Sequence, residues 1–211
     1  MYKNDRSARL TFMPRSRTLA KDAIVVTAME HFWRYGFAGA SMADLVDATG
    51  ASRAAIYSEF GGKDQLFVAC LEAYKEKIVT PAFSRVEADG AMLNAVHAYF
   101  EFQISRGVAK GLPGSGCLFA NTMTELAPHD HLAMAKVREH NARLTAGFYQ
   151  VLGNENAAEK RLGGVELHAL AVMMTTSTQG LWSISRTVDD SAVLRRIVCT
   201  LISLVTDRVG S

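Results

Sequence analysis

Apolar side chains recur at helical spacing along most of the chain, and this pattern predicts helices rather than strands. The first apolar stripe lies within residues 19–35 and is followed by Gly36, a residue type that commonly stands just after a helix C-terminus. Its members occupy every fourth position: Ala20, Ile24, Ala28 and Phe32. A stripe of this kind buries one face of a helix against the rest of the protein.

Two short helices joined by a tight turn are predicted next. Ser41 can accept hydrogen bonds from the exposed amides of the first, and Asp44 stands three residues on, as in a capping box. Gly50 permits the positive backbone angle of a turn, and Ser52 caps a second helix over Arg53 to Ser58. This arrangement predicts a helix-turn-helix.

The rest of the chain predicts longer helices and no strand. They are expected at 63–80 and, after Pro81, at about 88–107, 115–127, 130–152, 163–187 and 190–208. We therefore expect an all-α fold.

Composition favours a folded protein outside the membrane. Apolar residues make up 49% of the chain and charged residues 21%, yet no uninterrupted apolar run reaches the roughly 18 residues of a membrane span. Cys70, Cys117 and Cys199 are an odd number and form no Cys-x-x-Cys pair, which argues against a disulfide framework. A soluble, cytoplasmic protein is expected.

Basic residues are concentrated at the start of the chain. The first 21 residues hold six Lys or Arg against one Asp, although the formal net charge of the whole chain is only +2. A basic arm steers a protein toward phosphate, but a solvated tail has the same composition. We interpret residues 1–17 as a flexible basic arm, and whether it contacts DNA stays open.

The segment FWRYGFAGASMADLVDATGASRAAIYSEFGGKDQLFVACLEAY, residues 32–74, resembles the DNA-binding region of the TetR family of bacterial transcriptional regulators. The resemblance covers roughly residues 18–75 and combines the aromatic residues, both serine caps and the Lys-Asp pair. It implies an all-helical homodimer with a small N-terminal DNA-binding module and a larger ligand-binding and dimerisation domain. We assign 18–62 to the module, 63–80 to a connecting helix and 81–211 to the larger domain.

Arg53 is the candidate for base recognition. Ala54 and Ala55 beside it keep the start of the helix thin enough to enter the major groove, where arginine pairs with guanine. Two other interpretations are a contact to phosphate alone and an ion pair with Asp47.

Four further residues are candidates for phosphate contacts. Ser41 and Ser52 stand at helix N-termini, where hydroxyl and amide donors meet a favourable dipole, although both can serve only as caps. The family pattern implies contacts of the DNA backbone with the Tyr57 hydroxyl and with Lys63. Glu59 stands where the family often has histidine, and we assign it no DNA contact because a carboxylate cannot donate to phosphate.

An effector pocket is expected among the central helices, with aromatic walls and a few polar groups. The candidates are His97, Phe100, Phe119, Met123, Tyr149, Met173, Thr176 and Trp182. A stripe of methionine and aromatic residues is more often plain core, so only a few of these positions are expected to line the pocket. Residues 116–121 resemble the Gly-Cys-Leu stretch that opens a helix in some of these regulators, and in some of them a nearby cysteine is a sensor. Cys117 is therefore a candidate redox residue, because a helix N-terminus favours its thiolate, and the alternative is a buried, inert cysteine.

The last two helices are apolar over wide faces and are expected to pair with those of a second subunit, or else to close the core of one subunit. The positions are Leu167, Leu170, Ala171, Met174, Ser177, Leu181 and Ile184, followed by Val193, Ile197, Thr200, Leu201, Leu204 and Val205.

Other chemistry finds little support. His129, His131, Glu125 and His140 lack the spacing of metal ligands, and the glycine-rich residues 111–116 lack the Lys-Ser/Thr of a phosphate loop. No metal, cofactor or catalytic residue is predicted, and the protein is not expected to be an enzyme.

The main hypothesis is a homodimeric repressor that a small-molecule effector releases from a palindromic operator. The alternative is a small-molecule or thiol-redox sensor that acts through a protein partner, and a weaker one is an enzyme that uses Cys117.

Overall fold

The computed structural model describes residues 15–126, 129–158 and 160–210, without the side chains of residues 15–20. These residues form α-helices and no strand, so the expected all-α fold is confirmed. The helices are α1 (Arg15–Gly39), α2 (Met42–Thr49), α3 (Arg53–Phe60), α4 (Lys63–Tyr74), α5 (Thr80–Phe83), α6 (Leu93–Lys110), α7 (Leu118–Glu125), α8 (His131–Asn156), α9 (Gly164–Ile184) and α10 (Ser191–Val209). The basic arm lies outside the described residues up to residue 14.

Helices α1 to α4 form a small N-terminal unit in which α1 packs along α4 and against α2. Gly50 ends α2 with φ at 68°, a left-handed conformation that glycine adopts without strain, and the chain turns there into α3. Leu45 of α2 and Ile56 of α3 are fully buried. The core behind them is aromatic, since the Phe67 ring lies edge-on to those of Phe32 and Phe37 with centroids 4.9 and 5.1 Å apart.

The sequence predicted one helix over residues 63–80, but α4 itself ends at Tyr74. A π-helical turn over Lys75–Val79 joins it to α5, so the chain stays helical through Pro81 to Phe83. Pro81 lies in the first turn of α5, directly after the wider π turn, which accommodates a residue that has no N–H to donate. The module and the larger region therefore share one continuous helix.

The larger region contains α6 to α10. Helix α6 begins at Leu93, later than the expected residue 88, because residues 88–91 form a turn closed by the bond from the Ala91 N–H to the Ala88 carbonyl at 3.0 Å. Helix α8 packs along α9, and α10 packs on α6. None of the helices in the described ranges combines the length and apolarity needed to cross a lipid bilayer.

The apolar faces of α9 and α10 mainly serve the core of this subunit. Leu167, Ala171, Met174 and Leu181 of α9 are buried within the single chain, as are Leu201 and Val205 of α10. Six of the thirteen positions expected to pair with a second subunit are therefore buried in the core of one subunit, as the other interpretation of the pattern predicts. Ile184, which was also expected to pair with a second subunit, lies on a face of α9 that remains exposed.

Candidate nucleic-acid interface and ligand cavity

Arg53 is exposed at the first position of α3. Its guanidinium carbon lies 5.9 Å from the centroid of the Tyr57 ring. Among the described residues no ion pair joins Arg53 to Asp47, so the side chain is available to an external partner. Ala54 is also exposed and Ala55 is half-buried, which leaves α3 narrow at its start.

Ser41 and Ser52 both cap helices. The Ser41 hydroxyl oxygen accepts from the Asp44 N–H at 3.2 Å, and the Asp44 carboxylate accepts from the Ser41 N–H at 2.8 Å. These hydrogen bonds hold the pKa of Asp44 below its ordinary value. The Ser52 oxygen accepts from the Ala55 N–H at 3.1 Å. Each serine uses its oxygen in the cap and keeps its O–H as a donor, so capping does not exclude a phosphate contact.

Tyr57 and Lys63 lie near the same end of the module. The Tyr57 side chain is 49% exposed, so its hydroxyl can reach solvent. The Lys63 ammonium lies 4.1 Å from the centroid of the Phe37 ring, a cation–π contact. This contact compensates for the unfavourable position of a lysine at a helix N-terminus, and an external anion is not needed to explain it.

Two contacts fasten α1 to the larger region. Gly36 interrupts the helical backbone of α1 with φ at 78°, which exposes the amides that follow it. The Glu125 carboxylate, at the end of α7, accepts from the Phe37 N–H at 3.1 Å and from the Ala38 N–H at 2.7 Å. Farther along, the Trp33 indole N–H donates to the Gly116 carbonyl at 2.9 Å. From the sequence alone, Glu125 is considered only as a metal ligand, because no local sequence pattern links it to residues 36–38.

A cavity of about 610 Å³ lies where α1 meets the larger region. Its wall combines α1, α4, α6, α8, α9, α10 and the loop before α7. Its lining includes charged, aromatic and other polar side chains: Glu30, Trp33, Arg34, Tyr74, Tyr99, Arg106, Lys110, Cys117, His140 and Trp182. The volume is within the usual range for small-molecule sites.

The residues expected to line an effector pocket are dispersed. Trp182 lines the main cavity, whereas Met123 and Thr176 border a smaller pocket of about 300 Å³ beside Gln179. The others lie outside both pockets: Phe100 and Phe119 are buried core, and His97, Tyr149 and Met173 are exposed. The helical stripe identified apolar and aromatic positions but not which face of each helix meets the cavity.

Cys117 is buried at the N-cap position of α7, on the cavity wall. Burial raises the pKa of its thiol, although the backbone N–H groups of Ala120 and Phe119 and the Tyr74 hydroxyl act in the opposite direction. The amides at the helix N-terminus favour the thiolate, but desolvation is the larger effect, so the pKa of the Cys117 thiol is raised on balance.

His140 is a cavity residue that the sequence did not single out for this role. It is 4% exposed, and its ring stacks on Phe119 with centroids 4.2 Å apart. Its Nδ1 has no hydrogen-bond partner. Burial, and then the charge of Arg143, lowers its pKa to about 4, so the imidazole is neutral near pH 7.

Known proteins are similar to the N-terminal module and, over longer alignments, to most of the chain. Residues 24–70 match the family model described as bacterial regulatory proteins, tetR family. The chain is 27% identical over 168 residues to the HTH-type transcriptional repressor ComR of Escherichia coli, an alignment that covers 79% of this chain and 80% of ComR.

Solved structures share the fold. A TetR transcriptional regulator from Chloroflexus aurantiacus superimposes with a TM-score of 0.78 at 20% identity, over 92% of this chain and 98% of that one. The regulator CifR, in a complex with a 26-bp operator duplex, superimposes with a TM-score of 0.74 at 18% identity, over 86% of this chain and 94% of CifR. These similarities show that residues 24–70 form a DNA-binding region of the tetR family and that the chain has the fold of TetR transcriptional regulators.

Proposed function

We propose that this regulator is a homodimeric repressor that binds a pseudo-palindromic operator and is released from it by a small molecule bound in the main cavity. The observation that carries the proposal is the exposed start of α3, where Arg53 projects beside a small exposed alanine and forms no ion pair with Asp47 among the described residues. CifR with its operator duplex and the repressor ComR support it as relatives.

In this proposal Arg53 contacts a base edge in the major groove, and Ala54 and Ala55 allow close approach of the helix. Ser41, Ser52, Tyr57 and Lys63 donate to phosphates around it. The exposure of the Tyr57 side chain and the free O–H of each serine support these assignments.

The effector is proposed to act through α1. Trp33 of this helix lines the cavity and at the same time bonds to Gly116 in the larger region. A ligand that changes the spacing between these walls also changes the position of the whole N-terminal module. Effector and operator would then weaken each other's binding by linkage.

Dimerisation is proposed on the exposed face of α9. This face carries no charge over several turns and includes apolar side chains that are 40–46% exposed: Val172, Met173 and Ile184. Small or uncharged residues lie between them: Ala169, Thr176, Gly180 and Ser183. An uncharged stripe of this length on a helix is typical of a surface that a partner covers. Two recognition helices on one face of DNA require a dimer with centres about 34 Å apart.

Selection of bound sequences from random DNA duplexes by the purified protein tests the proposal. We expect enrichment of an inverted repeat whose half-sites lie about one helical turn apart. Absence of any enriched sequence would refute operator binding, and enrichment of a single unrepeated site would refute the symmetric dimer.

A further inference from the structure

The rim of the main cavity carries an excess of positive charge. Arg34 of α1 and Arg106 and Lys110 of α6 line it, and Glu30 is the one carboxylate among its described lining residues. No ion pair engages these three cations within the described ranges. Lys110 lies over Trp33 of the cavity wall, 5.1 Å from the ring centroid, whereas Arg34 and Arg106 lie over Tyr35 and Phe102, which are outside the cavity lining. The rim is therefore suited to an anion.

The walls behind this rim are aromatic. Trp33, Tyr74, Tyr99 and Trp182 contribute to them, and the two tryptophans are the only ones in the chain. Flat rings present large apolar area with few rotatable bonds, so they suit a flat, conjugated ligand.

His140 belongs to the cavity lining and carries a buried polar atom without a partner. His140 is almost fully buried, and its Nδ1 makes no hydrogen bond. A buried polar group without a partner costs free energy that a bound ligand can recover by supplying the missing hydrogen bond.

Resting on the proposed function of this cavity as the effector site, we propose that the effector is a flat aromatic carboxylate with a hydroxyl group at its far end. The carboxylate lies among Arg34, Arg106 and Lys110, the rings stack on the aromatic walls, and the hydroxyl bonds to His140. A lipophilic cation fits worse, because it would meet three like charges and only Glu30 in compensation.

The same geometry suggests how binding is transmitted. Arg34 belongs to α1 of the DNA-binding module, whereas Arg106 and Lys110 belong to α6 of the larger region. One carboxylate held by both sides links the two helices and fixes their spacing.

Calorimetric titration of the full-length protein with three naphthalene probes tests the charge preference. 2-Naphthoate and 2-naphthamide share one ring system and differ in charge, and 6-hydroxy-2-naphthoate adds the far hydroxyl. We expect the naphthoate to bind at least about tenfold more tightly than the amide, since hydrogen bonds to charged groups are the stronger ones. Equal or tighter binding of the amide overturns the proposal, as does absence of binding by all three probes.

A double variant locates the preference. R106Q/K110Q should lose about tenfold in affinity for 2-naphthoate and change little for 2-naphthamide. The matched control is K77Q/R138Q, which removes two exposed cations outside the cavity lining. If both double variants lose the same affinity, the effect is only that of net charge and the rim assignment fails.

His140 is tested separately by H140F, which keeps an aromatic ring over Phe119. In the wild-type protein the added hydroxyl should strengthen binding about fivefold, and H140F should abolish that gain while 2-naphthoate still binds. If H140F does not fold, H140Q replaces it in this test. The glutamine amide should retain part of the affinity gained from the added hydroxyl. A hydroxyl that gives no gain in the wild-type protein overturns the His140 assignment.

Operator binding by the same preparations separates this inference from the proposed function. Protein that binds its selected operator but shows no naphthoate preference refutes only the ligand class. Protein that prefers naphthoate but binds no DNA refutes the repressor and leaves the cavity assignment in place.

Discussion

At the scale of single residues, substitutions of Arg53 can show whether this side chain recognises a base or only contacts phosphate. Substitution R53A should cost about 1–3 kcal/mol of operator binding and relax the sequence preference at one position of each half-site. R53K is the matched variant, because it keeps the charge but loses the planar fork that pairs with guanine. Binding measured on the selected operator and on single-base variants checks this. An R53K protein with unchanged base preference would show that Arg53 contacts only phosphate.

Substitution of Lys63 should lower DNA affinity without changing the sequence preference. Because its ammonium is proposed to contact phosphate, K63A should weaken binding to all duplexes about equally and lower the slope of log affinity against log salt by about 1. The measurement is a salt titration with operator and non-operator DNA. If operator affinity alone falls, Lys63 contributes to sequence recognition instead.

His140 should make stability depend on pH. Its pKa is about 4 in the folded protein against an ordinary value of 6.5, so between these values the unfolded chain binds more protons. Stability is therefore full above pH 6.5 and falls as the pH drops toward 4, by at most about 1.4 kcal/mol per pH unit.

Urea unfolding of H140F and wild type across this range should show a shallower pH dependence in the variant. F119L is the control, since it loses the ring stack but keeps the imidazole, and it should retain the wild-type slope at lower overall stability. Identical slopes in H140F and the wild-type protein would contradict the assignment.

At the scale of elements, the Glu125 carboxylate is one of the contacts that join α1 to the larger region. E125A removes the acceptor for the Phe37 and Ala38 N–H groups and should lower the free energy of unfolding by about 1–3 kcal/mol. E125Q keeps one oxygen acceptor without the charge. Its free energy of unfolding should therefore lie between those of the wild-type protein and E125A.

The same variants test whether this join transmits the effector signal. If it does, E125A should reduce the factor by which a cavity ligand weakens operator binding, measured by titration with and without ligand. A variant that is less stable but shows unchanged coupling would limit Glu125 to a structural role.

At the scale of the whole molecule, Gly180 gives a direct test of the dimer. A Cβ built there has no atom within 4 Å, so the subunit itself accommodates a side chain, and replacing a helical glycine does not weaken the helix. G180R should therefore leave the fold intact but place a charge in the proposed interface. Sedimentation should show a single chain where the wild-type protein is a dimer.

The control is A88R, which adds the same charge in an exposed turn away from α9. It should remain dimeric. If G180R is dimeric as well, the interface lies on another face. The monomer produced by G180R should also lose most of its operator affinity, because each half-site contributes separately.

The sequence by itself determined the elements whose causes are local. Ser41, Gly50 and Ser52 define the ends of α2 and α3 through caps and a turn that involve only neighbouring residues. Helical periodicity, which is also a short-range pattern, predicted the all-α fold. The motif that resembles the TetR family pointed to Arg53, which lies at the exposed start of α3.

Only the tertiary structure decided which helix faces meet. The cavity joins Trp33, Lys110, His140 and Trp182 from four helices, and periodicity gives no information on how those helices are rotated against one another. The same holds for the carboxylate of Glu125 on the amides of α1 and for the exposed face of α9. Cys117 adds an energetic case, since its position at a helix N-terminus favours a thiolate but burial, a property of the folded chain alone, raises its pKa.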